Sequence, residues 1–197
     1  MGGVQNIRLS ELCDIFDGTH QTPNYTECGI KFISVENINN PYNSRKFISE
    51  FDYRKYKIKP QKDDILMTRI GSIGVCYVID GDEPLAYYVS LALLRIKTGI
   101  VISRFLRYYI ESKNGKRELY KRTLVNAVPI KINKEDIGKI MIAVPPIEEQ
   151  KRIVSILDRF DKLCNDISEG LPAEIEARRK QYEYYRDKLL SFEEVRM

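Results

Sequence analysis

The spacing of hydrophobic residues changes at Pro145-Pro146. Before these prolines, apolar residues come in short runs separated by turn sequences, a pattern that predicts strands. After them, apolar residues recur three and four positions apart almost to the end of the chain, which is typical of helices with one apolar stripe. We therefore predict an α+β fold, with a small domain rich in short strands at 1–146 and a long helical region at 147–197.

The strand-rich part divides at glycine, proline and asparagine residues. Residues 7–16 are predicted to form a strand or a turn of helix. We further predict strands at 30–38, 85–96, 128–132 and 138–144, and a hairpin at 64–80 around the sequence GSIG. Three short helices are also predicted: one capped by Ser103, one covering 117–123 and one capped by Asn133.

The helical region contains two successive heptad-like stripes. The first holds Gln150, Ile153, Leu157, Phe160, Cys164, Ile167 and Leu171, and the second holds Ile175, Arg178, Tyr182, Tyr185, Leu189 and Phe192. Steps of three and four are typical of a coiled-coil seam. Gly170 and Pro172 lie where the two stripes meet, so a kink or break is expected there.

Two arrangements of this region are open. The helices either fold back on their own domain as core helices or pair with a partner helix. Most positions outside the stripe are charged, so only a narrow apolar stripe needs to be buried. This favours pairing with a partner helix over packing in the core of the domain. The residues expected at such a dimer contact are Ile153, Leu157, Phe160, Cys164, Ile167, Leu171, Ile175, Tyr182, Tyr185 and Leu189.

The charge of the chain is unevenly distributed. Residues 1–146 carry 22 Lys and Arg against 16 Asp and Glu, whereas residues 147–197 carry 10 against 12. Two stretches, Arg45–Lys62 and Arg104–Arg122, each hold seven basic and two acidic residues. Such clusters attract polyanions, nucleic acid above all, although an ordinary solvated surface also contains them.

The sequence offers little support for a membrane or a secreted protein. No apolar run approaches the length that crosses a bilayer, and the four cysteines, Cys13, Cys28, Cys76 and Cys164, lack metal-ligand spacing. We expect a cytoplasmic protein without membrane contact, and mostly buried free thiols.

Catalytic chemistry is not predicted. NNPY at 39–42 resembles an adenine methyltransferase motif but lacks its second proline, and no glycine-rich nucleotide loop accompanies it. His20 is the single histidine, and no ligand-spaced Cys, Asp or Glu surrounds it. GSIG could bind a phosphate through backbone amides, but it equally suits a hairpin turn. We therefore expect no cofactor and no metal.

Candidate DNA contacts lie in polar loops and basic stretches. Gln21 is suited to paired hydrogen bonds with adenine and Arg69 to paired hydrogen bonds with guanine. The alternatives are that the loop 17–25 is an ordinary polar loop and that Arg69 is an ordinary surface strand residue. The full set of candidates is Thr19, His20, Gln21, Thr22, Asn24, Asn37, Lys46, Arg69, Ser72, Ser90, Arg104, Arg107, Arg117 and Asn126.

Several segments together resemble one known family. PPIEEQKRIVSILDRFDKL followed by LPAEIEARRKQYEYYRDKLLSF resembles the conserved helical region of specificity subunits of type I restriction-modification systems. LSELCDIFDGTHQTP, KFISVENI, DILMTRIGSIGVCYVI and VPIKINKEDIGKIMIAVPP resemble the target recognition domain of the same subunits, in the same order.

The resemblance implies a half-length form, because the family usually carries two recognition domains and two helical regions. It implies binding to double-stranded DNA, a homodimer that sets the gap in a bipartite target, and recruitment of methyltransferase subunits and, through them, the restriction subunit. Two rivals remain: a coiled-coil assembly or regulatory protein of such a complex without DNA recognition, and a stand-alone methyltransferase.

Overall fold

The computed structural model of the chain describes residues 3–165 and 172–192, without the side chains of 163–165 and 172–174. The strands within these ranges are β1 (Gln5–Arg8), β2 (Cys13–Asp17), β3 (Tyr25–Thr26), β4 (Ile30–Ile33), β5 (Phe47–Ile48), β6 (Ile65–Thr68), β7 (Cys76–Val78), β8 (Leu85–Tyr87), β9 (Leu91–Ile96) and β10 (Met141–Val144). The α-helices are α1 (Leu9–Leu12), α2 (Glu50–Arg54), α3 (Ser103–Glu111), α4 (Lys113–Tyr120), α5 (Lys134–Gly138), α6 (Ile147–Asn165) and α7 (Pro172–Leu189).

The central sheet has the strand order β2-β9-β6-β7 and is antiparallel throughout. Successive side chains of a strand point to opposite faces of the sheet. Ile65 and Met67 accordingly pack in the cluster that contains α3, whereas Leu66 packs in a second cluster with Ile33 and Tyr87. Both faces of β6 are covered, and all four of its residues, ILMT, are buried.

A second sheet, of order β3-β5-β4-β8, covers one face of the central sheet. Within it β4 and β8 run parallel, and the other pairs are antiparallel. The opposite face of the central sheet is covered by helices, with β1 and β10 forming a two-stranded ribbon beside them. The molecule is thus a mixed α and β structure rich in short strands, as the hydrophobic pattern predicts.

The helices α6 and α7 pack against each other and against the strand-rich part of the chain. Ile153 and Leu157 of α6 and Leu190 after α7 are fully buried in one cluster with Phe105 of α3. The Asn114 side-chain amide donates to the carbonyl oxygen of Leu190 at 3.3 Å, which fixes the end of α7 beside α4. The helical pair is therefore part of the chain's own core.

This packing corrects the expectation of an uncovered coiled-coil seam. The ring of Phe160 stacks on that of Tyr185, with centroids 5.6 Å apart, so α7 takes the place expected for a partner helix. The apolar face of α3 needs cover, and α6 supplies it. The alternative in which the helices fold back describes the structure.

The expected dimer residues are distributed as follows. Tyr182 and Leu189 are half-buried against the chain's own core, Ile175 is half-buried, and Tyr185 stays 37% exposed. The side chain of Cys164 is undescribed, and Ile167, Gly170 and Leu171 lie outside the described residues. The expected break is consistent with two separate helices, of which α7 begins at Pro172.

Gln150, on the predicted apolar stripe, anchors the start of α6. Its fully buried amide donates to the carbonyl oxygens of Ile100 at 2.7 Å and Pro145 at 2.8 Å, and its oxygen accepts from the backbone N–H of Ile102 at 2.9 Å. A buried amide is stable only when its polar atoms are bonded in this way. The residue thus joins α6 to the chain segment before α3.

Of the local elements predicted from the sequence, the hairpin is confirmed. It is formed by β6 and β7, with Gly71 and Gly74 at φ values of 82° and 84°, a region that favours glycine. The strand predicted at 128–132 is wrong: only Lys131 makes isolated bridges, and Pro129 has no N–H to donate. Ser103 is not the cap of α3 but its first residue, and its hydroxyl donates to the carbonyl oxygen of Asp63 at 2.6 Å.

The three cysteines whose side chains are described are free thiols. Cys13 and Cys76 are buried and Cys28 is exposed. Burial is the main cause that raises the pKa of the Cys13 thiol to about 12, and the neighbouring Asp14 carboxylate adds to it. These two thiols are therefore part of the packing of the core.

Candidate nucleic-acid interface

A polar groove opens between the loop that follows β2 and the chain that leaves α2. Its volume is about 510 Å³. One wall is the loop from Asp17 to Asn24, and the other is formed by Asp52 and residues 55–58, with Tyr87 at the base. The structure thereby brings four of the predicted DNA contacts to one site: Thr19, Gln21, Thr22 and Asn24.

The loop wall is held in place from its first residues. A side chain at Gly18 would overlap the backbone of Tyr88, so this close approach requires glycine. The Thr19 N–H donates to the carbonyl oxygen of Tyr87 at 3.1 Å, and the Thr19 carbonyl accepts from the N–H of Val89 at 2.9 Å. The base of the loop is therefore an extension of the second sheet.

The tip of the loop is exposed and keeps its side chains available. The Thr19 hydroxyl accepts from the Gln21 N–H at 3.2 Å and closes a tight turn. His20, Gln21, Thr22 and Asn24 beyond it are exposed. A fixed base with exposed amide and hydroxyl groups is suited to forming hydrogen bonds with an external ligand.

The opposite wall supplies positive charge. The Ser49 hydroxyl accepts from the Asp52 N–H at 3.0 Å and caps α2, and the Lys55 ammonium pairs with the Asp52 carboxylate at 2.7 Å. Hydrogen bonds from Lys55 and Ser49 lower the pKa of Asp52. Lys57 is exposed and makes no ion pair among the residues that the structure describes, so the groove has an uncompensated cation.

Arg69 lies beneath the loops rather than on the surface. It is 7% exposed, its guanidinium pairs with the carboxylate of Asp17, and its Nε–H donates to the carbonyl oxygen of Ile132 at 3.2 Å. In this position the guanidinium is engaged within the chain, so the predicted contact of Arg69 with guanine stays a prediction. Its role in the structure is to join the loop after β2, the GSIG loop and the segment before α5.

Two predicted residues share the surface of these joined loops. Ser72 is exposed in the GSIG loop, and Asn126 is exposed in the segment 124–131. The Gly71 N–H donates to the carbonyl oxygen of Ile130 at 2.9 Å, so the two segments are hydrogen-bonded neighbours. Arg117 is also exposed, on α4, which leads into this segment, and it makes no ion pair within the described ranges.

Two other predicted phosphate contacts belong to the helical layer on the opposite face of the central sheet. Arg104 pairs with Asp158 at 2.8 Å, and Arg107 lies between Glu111 and Asp161, 3.4 Å from each. Burial raises the pKa of the Glu111 carboxyl, and Arg107 opposes that shift. Both arginines therefore connect α3 to α6 through ion pairs, while Arg104 stays 53% exposed, so their contact with DNA stays a prediction.

The remaining predicted residues have partners in the segment that follows β4. The side-chain oxygen of Asn37 accepts from the Ser34 N–H at 3.4 Å, and the buried Ser90 hydroxyl accepts from the Val35 N–H at 3.2 Å. Lys46 pairs with Glu36 at 2.9 Å. The side chains of Asn37 and Ser90 therefore form hydrogen bonds within the chain, whereas Lys46 stays 45% exposed.

Sequence inspection missed Lys55, Tyr56 and Lys57. Burial raises the pKa of the Tyr56 phenol, and a hydrogen bond with Thr19 opposes that shift, so this ring lies where the two walls meet. The signal was present in the basic stretch 45–62. Only the fold shows which of its cations border the groove.

The described residues contain neither a metal-binding cluster nor a membrane-spanning helix. No group of three or more His, Cys, Asp or Glu side chains within 3–162 and 175–192 is placed to hold a metal ion. Among the helices of the described part, none has the length and apolar character to span a membrane.

The structure defines a strand-rich α+β domain with a polar, cation-bordered groove and a packed helical pair. Residues 1–177 match the family described as type I restriction modification DNA specificity domain. The chain belongs to this family.

Known relatives agree with this membership. A putative type I restriction enzyme specificity subunit of Haemophilus influenzae is 35% identical over 150 residues, which are 74% of this chain and 37% of the relative. The specificity subunit of an Escherichia coli type I restriction enzyme is 61% identical over 61 residues, 31% of this chain and 15% of that subunit. The chain thus spans much less than two thirds of the length of these relatives.

A solved structure supports the fold. The HsdS subunit of Thermoanaerobacter tengcongensis superposes with a TM-score of 0.65 at 23% identity, over 95% of this chain and 45% of that one. At this identity the similarity establishes the fold alone.

Proposed function

We propose that this chain recognises a DNA sequence as the specificity component of a type I restriction-modification complex, and is not itself an enzyme. The observation that carries the proposal is the groove itself, in which the exposed amides of Gln21 and Asn24 face a wall that bears Lys55 and Lys57. Family membership supports the same conclusion.

The groove suits one strand of a duplex better than a whole duplex. A volume of about 510 Å³ is far too small for double-stranded DNA but has room for a stretch of sugar-phosphate backbone. In this arrangement Lys57 neutralises a phosphate, while the tip with His20, Gln21 and Asn24 enters the adjacent DNA groove. Phosphate contacts of this kind fix the register, and base-edge contacts provide the specificity.

Selection from a random pool of duplexes tests this function. We expect the full chain to enrich one sequence, and we expect Gln21→Ala combined with Asn24→Ala to lower the ratio of specific to non-specific affinity by at least tenfold. Asn39→Ala with Asn40→Ala is the matched control, since both asparagines are exposed away from the groove. Equal discrimination by both double variants would rule out the groove as the site of recognition.

The proposal extends to the partners that the family resemblance implies. The helical pair α6–α7 binds methyltransferase subunits and, through them, the restriction subunit, in a cytoplasmic complex. The helical pair also allows a second copy to associate, so that two strand-rich domains (1–146) read a bipartite target across a helical spacer (147–197). Because Ile153 and Leu157 are buried within the chain, this association uses the exposed face of α7, where the ring of Tyr184 is 61% exposed beside Tyr185.

Light scattering tests self-association separately from DNA binding. We expect a dimer at micromolar concentration that Tyr184→Ala converts to a monomer, with Tyr120→Ala as a matched control because that ring is 71% exposed on α4. A wild-type monomer would eliminate the self-paired arrangement and leave DNA recognition standing. The rival function is that of an assembly or regulatory protein of the complex. It predicts binding to methyltransferase subunits without any preference for a DNA sequence.

A further inference from the structure

The segment between α4 and α5 forms an exposed apolar ridge, defined by Leu124, Val125, Val128 and Ile130. Their exposed fractions are 43%, 48%, 100% and 39%. Single exposed apolar residues are ordinary on protein surfaces, but four within seven positions of one loop form a patch. Nothing within the described chain covers Val128.

The ridge is a closed loop with a fixed base. The Leu124 N–H donates to the carbonyl oxygen of Lys131 at 2.7 Å, which joins the two ends, and the Ala127 N–H donates to that of Leu124 at 3.2 Å. Lys131 also bridges to Ile70 of the GSIG loop. The side chains of the ridge are therefore presented from an anchored base.

The same anchor holds the groove. The Ile132 N–H donates to the Arg69 carbonyl at 3.0 Å, and the Arg69 guanidinium reaches back to the Ile132 carbonyl and to Asp17 at the start of the groove wall. Ridge and groove thus share Arg69 as a common support.

The charges beside the ridge favour a polyanion over a protein partner. Lys131 at its base and Lys116 and Arg117 on α4, which leads into it, are exposed and make no ion pairs with any residue in the described ranges. Uncompensated cations around an apolar tip match DNA, where phosphates flank the apolar methyl groups of thymine in the major groove.

We propose that Val128 is a specificity-determining residue that contacts the C5-methyl group of a thymine in the recognised duplex. This inference rests on the proposed DNA recognition and deepens it. A branched apolar side chain without hydrogen-bonding groups distinguishes thymine from other bases through its methyl group alone. The neighbouring Asn126 provides the hydrogen-bonding capacity that Val128 lacks.

Removing methyl groups one at a time tests the contact. Each thymine of the selected duplex is replaced by deoxyuridine, which keeps base pairing and removes only the C5-methyl group. For the full wild-type chain we expect one or two replacements to weaken binding about three- to tenfold, the effect of losing one buried methyl contact. Val128→Ala weakens binding to the unmodified duplex by a similar factor and becomes insensitive to those replacements.

Ile100→Ala is the matched control, because Ile100 is 45% exposed beside Val144 and Pro146, away from the ridge. It retains the full deoxyuridine sensitivity. Folding does not confound the comparison, since Val128 is fully exposed and circular dichroism verifies that the variant unfolds like the wild type.

Three outcomes overturn the inference. Sequence-specific wild-type binding without any sensitive thymine, or Val128→Ala with undiminished sensitivity, contradicts the methyl contact and leaves the proposed function standing. Val128→Ala that impairs binding of methyltransferase subunits while DNA binding is unchanged assigns the ridge to a protein interface instead. A wild-type chain without sequence preference contradicts both proposals together.

Discussion

The guanidinium of Arg69 pairs with the carboxylate of Asp17, and this contact joins two loops that are 52 residues apart in sequence. The same guanidinium donates to the Ile132 carbonyl. One buried cation therefore fixes the relative positions of the groove wall, the GSIG loop and the apolar ridge. Recognition by several loops requires such a fixed arrangement, because each misplaced contact loses affinity.

Removal of this cation is expected to destabilise the fold as well as the interface. Arg69→Ala leaves the Asp17 carboxylate and the Ile132 carbonyl without their partner. We expect the free energy of unfolding to fall by about 3 kcal/mol, as for other buried pairs that lose one member. Urea unfolding measures it, with Arg45→Ala as the control, since Arg45 is exposed and makes no ion pair within the described chain. Equal stability of the two variants would contradict the structural role of Arg69.

The cation at the groove is expected to contribute to the salt dependence of DNA binding. Lys57→Ala should make the negative slope of log K against log salt shallower by about 0.9, the value for one neutralised phosphate. Lys62→Ala, in the same basic stretch but not on a groove wall, should leave the slope unchanged. Titrations at several salt concentrations decide between them, and an equal effect of both lysines would indicate diffuse attraction instead of a groove contact.

The buried amide of Gln150 provides a test of the helical packing. Gln150→Leu keeps the approximate size but leaves two carbonyl oxygens and the Ile102 N–H without a partner. We expect a loss of about 3 kcal/mol in the free energy of unfolding, because unpaired buried polar groups are costly. Gln181→Leu on the exposed face of α7 should change the free energy of unfolding by less than about 0.5 kcal/mol. A neutral Gln150→Leu would show that α6 does not pack on the domain in this way.

Below neutral pH, the free energy of unfolding should depend on the ionisation of Glu118. Burial tends to raise the pKa of this carboxyl, but hydrogen bonds from Lys121 and the Met141 N–H and the charge of Arg122 together lower it below its usual 4.5. The ionised form is therefore favoured in the folded state. Its contribution is present above about pH 4.5 and is lost as pH falls through the folded-state pKa.

Glu118→Gln should accordingly destabilise the protein by roughly 1 kcal/mol at neutral pH, and the difference from wild type should shrink as pH falls below 4. Glu148→Gln is the control, because that carboxylate is 84% exposed and its pair with Lys151 contributes little. A pH-independent difference at Glu118 would contradict this assignment.

Sequence patterns predicted some elements of this structure and missed others for identifiable reasons. The β6–β7 hairpin depends on local glycine chemistry at Gly71 and Gly74 and was predicted. The stripe with Ile153 and Leu157 predicted helices correctly, but periodicity does not reveal whether the covering surface belongs to the same chain.

The site residues show the same division. Gln21 and Asn24 are predicted as DNA contacts because their side chains donate and accept hydrogen bonds from a polar loop. The structure leaves both of them exposed. The sequence does not reveal that Arg69 is buried and paired, because its partner, Asp17, is distant in sequence. Lys57 was missed, since only the fold places it opposite the loop.

Hydrogen exchange of the full chain with and without its selected duplex tests the location of the recognition site most directly. We expect protection on DNA binding to be concentrated in residues 18–24, 55–58, 70–74 and 124–131, while the cleft lined by Arg8, Lys97 and Lys134, which shares no residue with the groove, is unchanged. Protection at that cleft, with unchanged exchange in the loop around Gln21, would contradict the account.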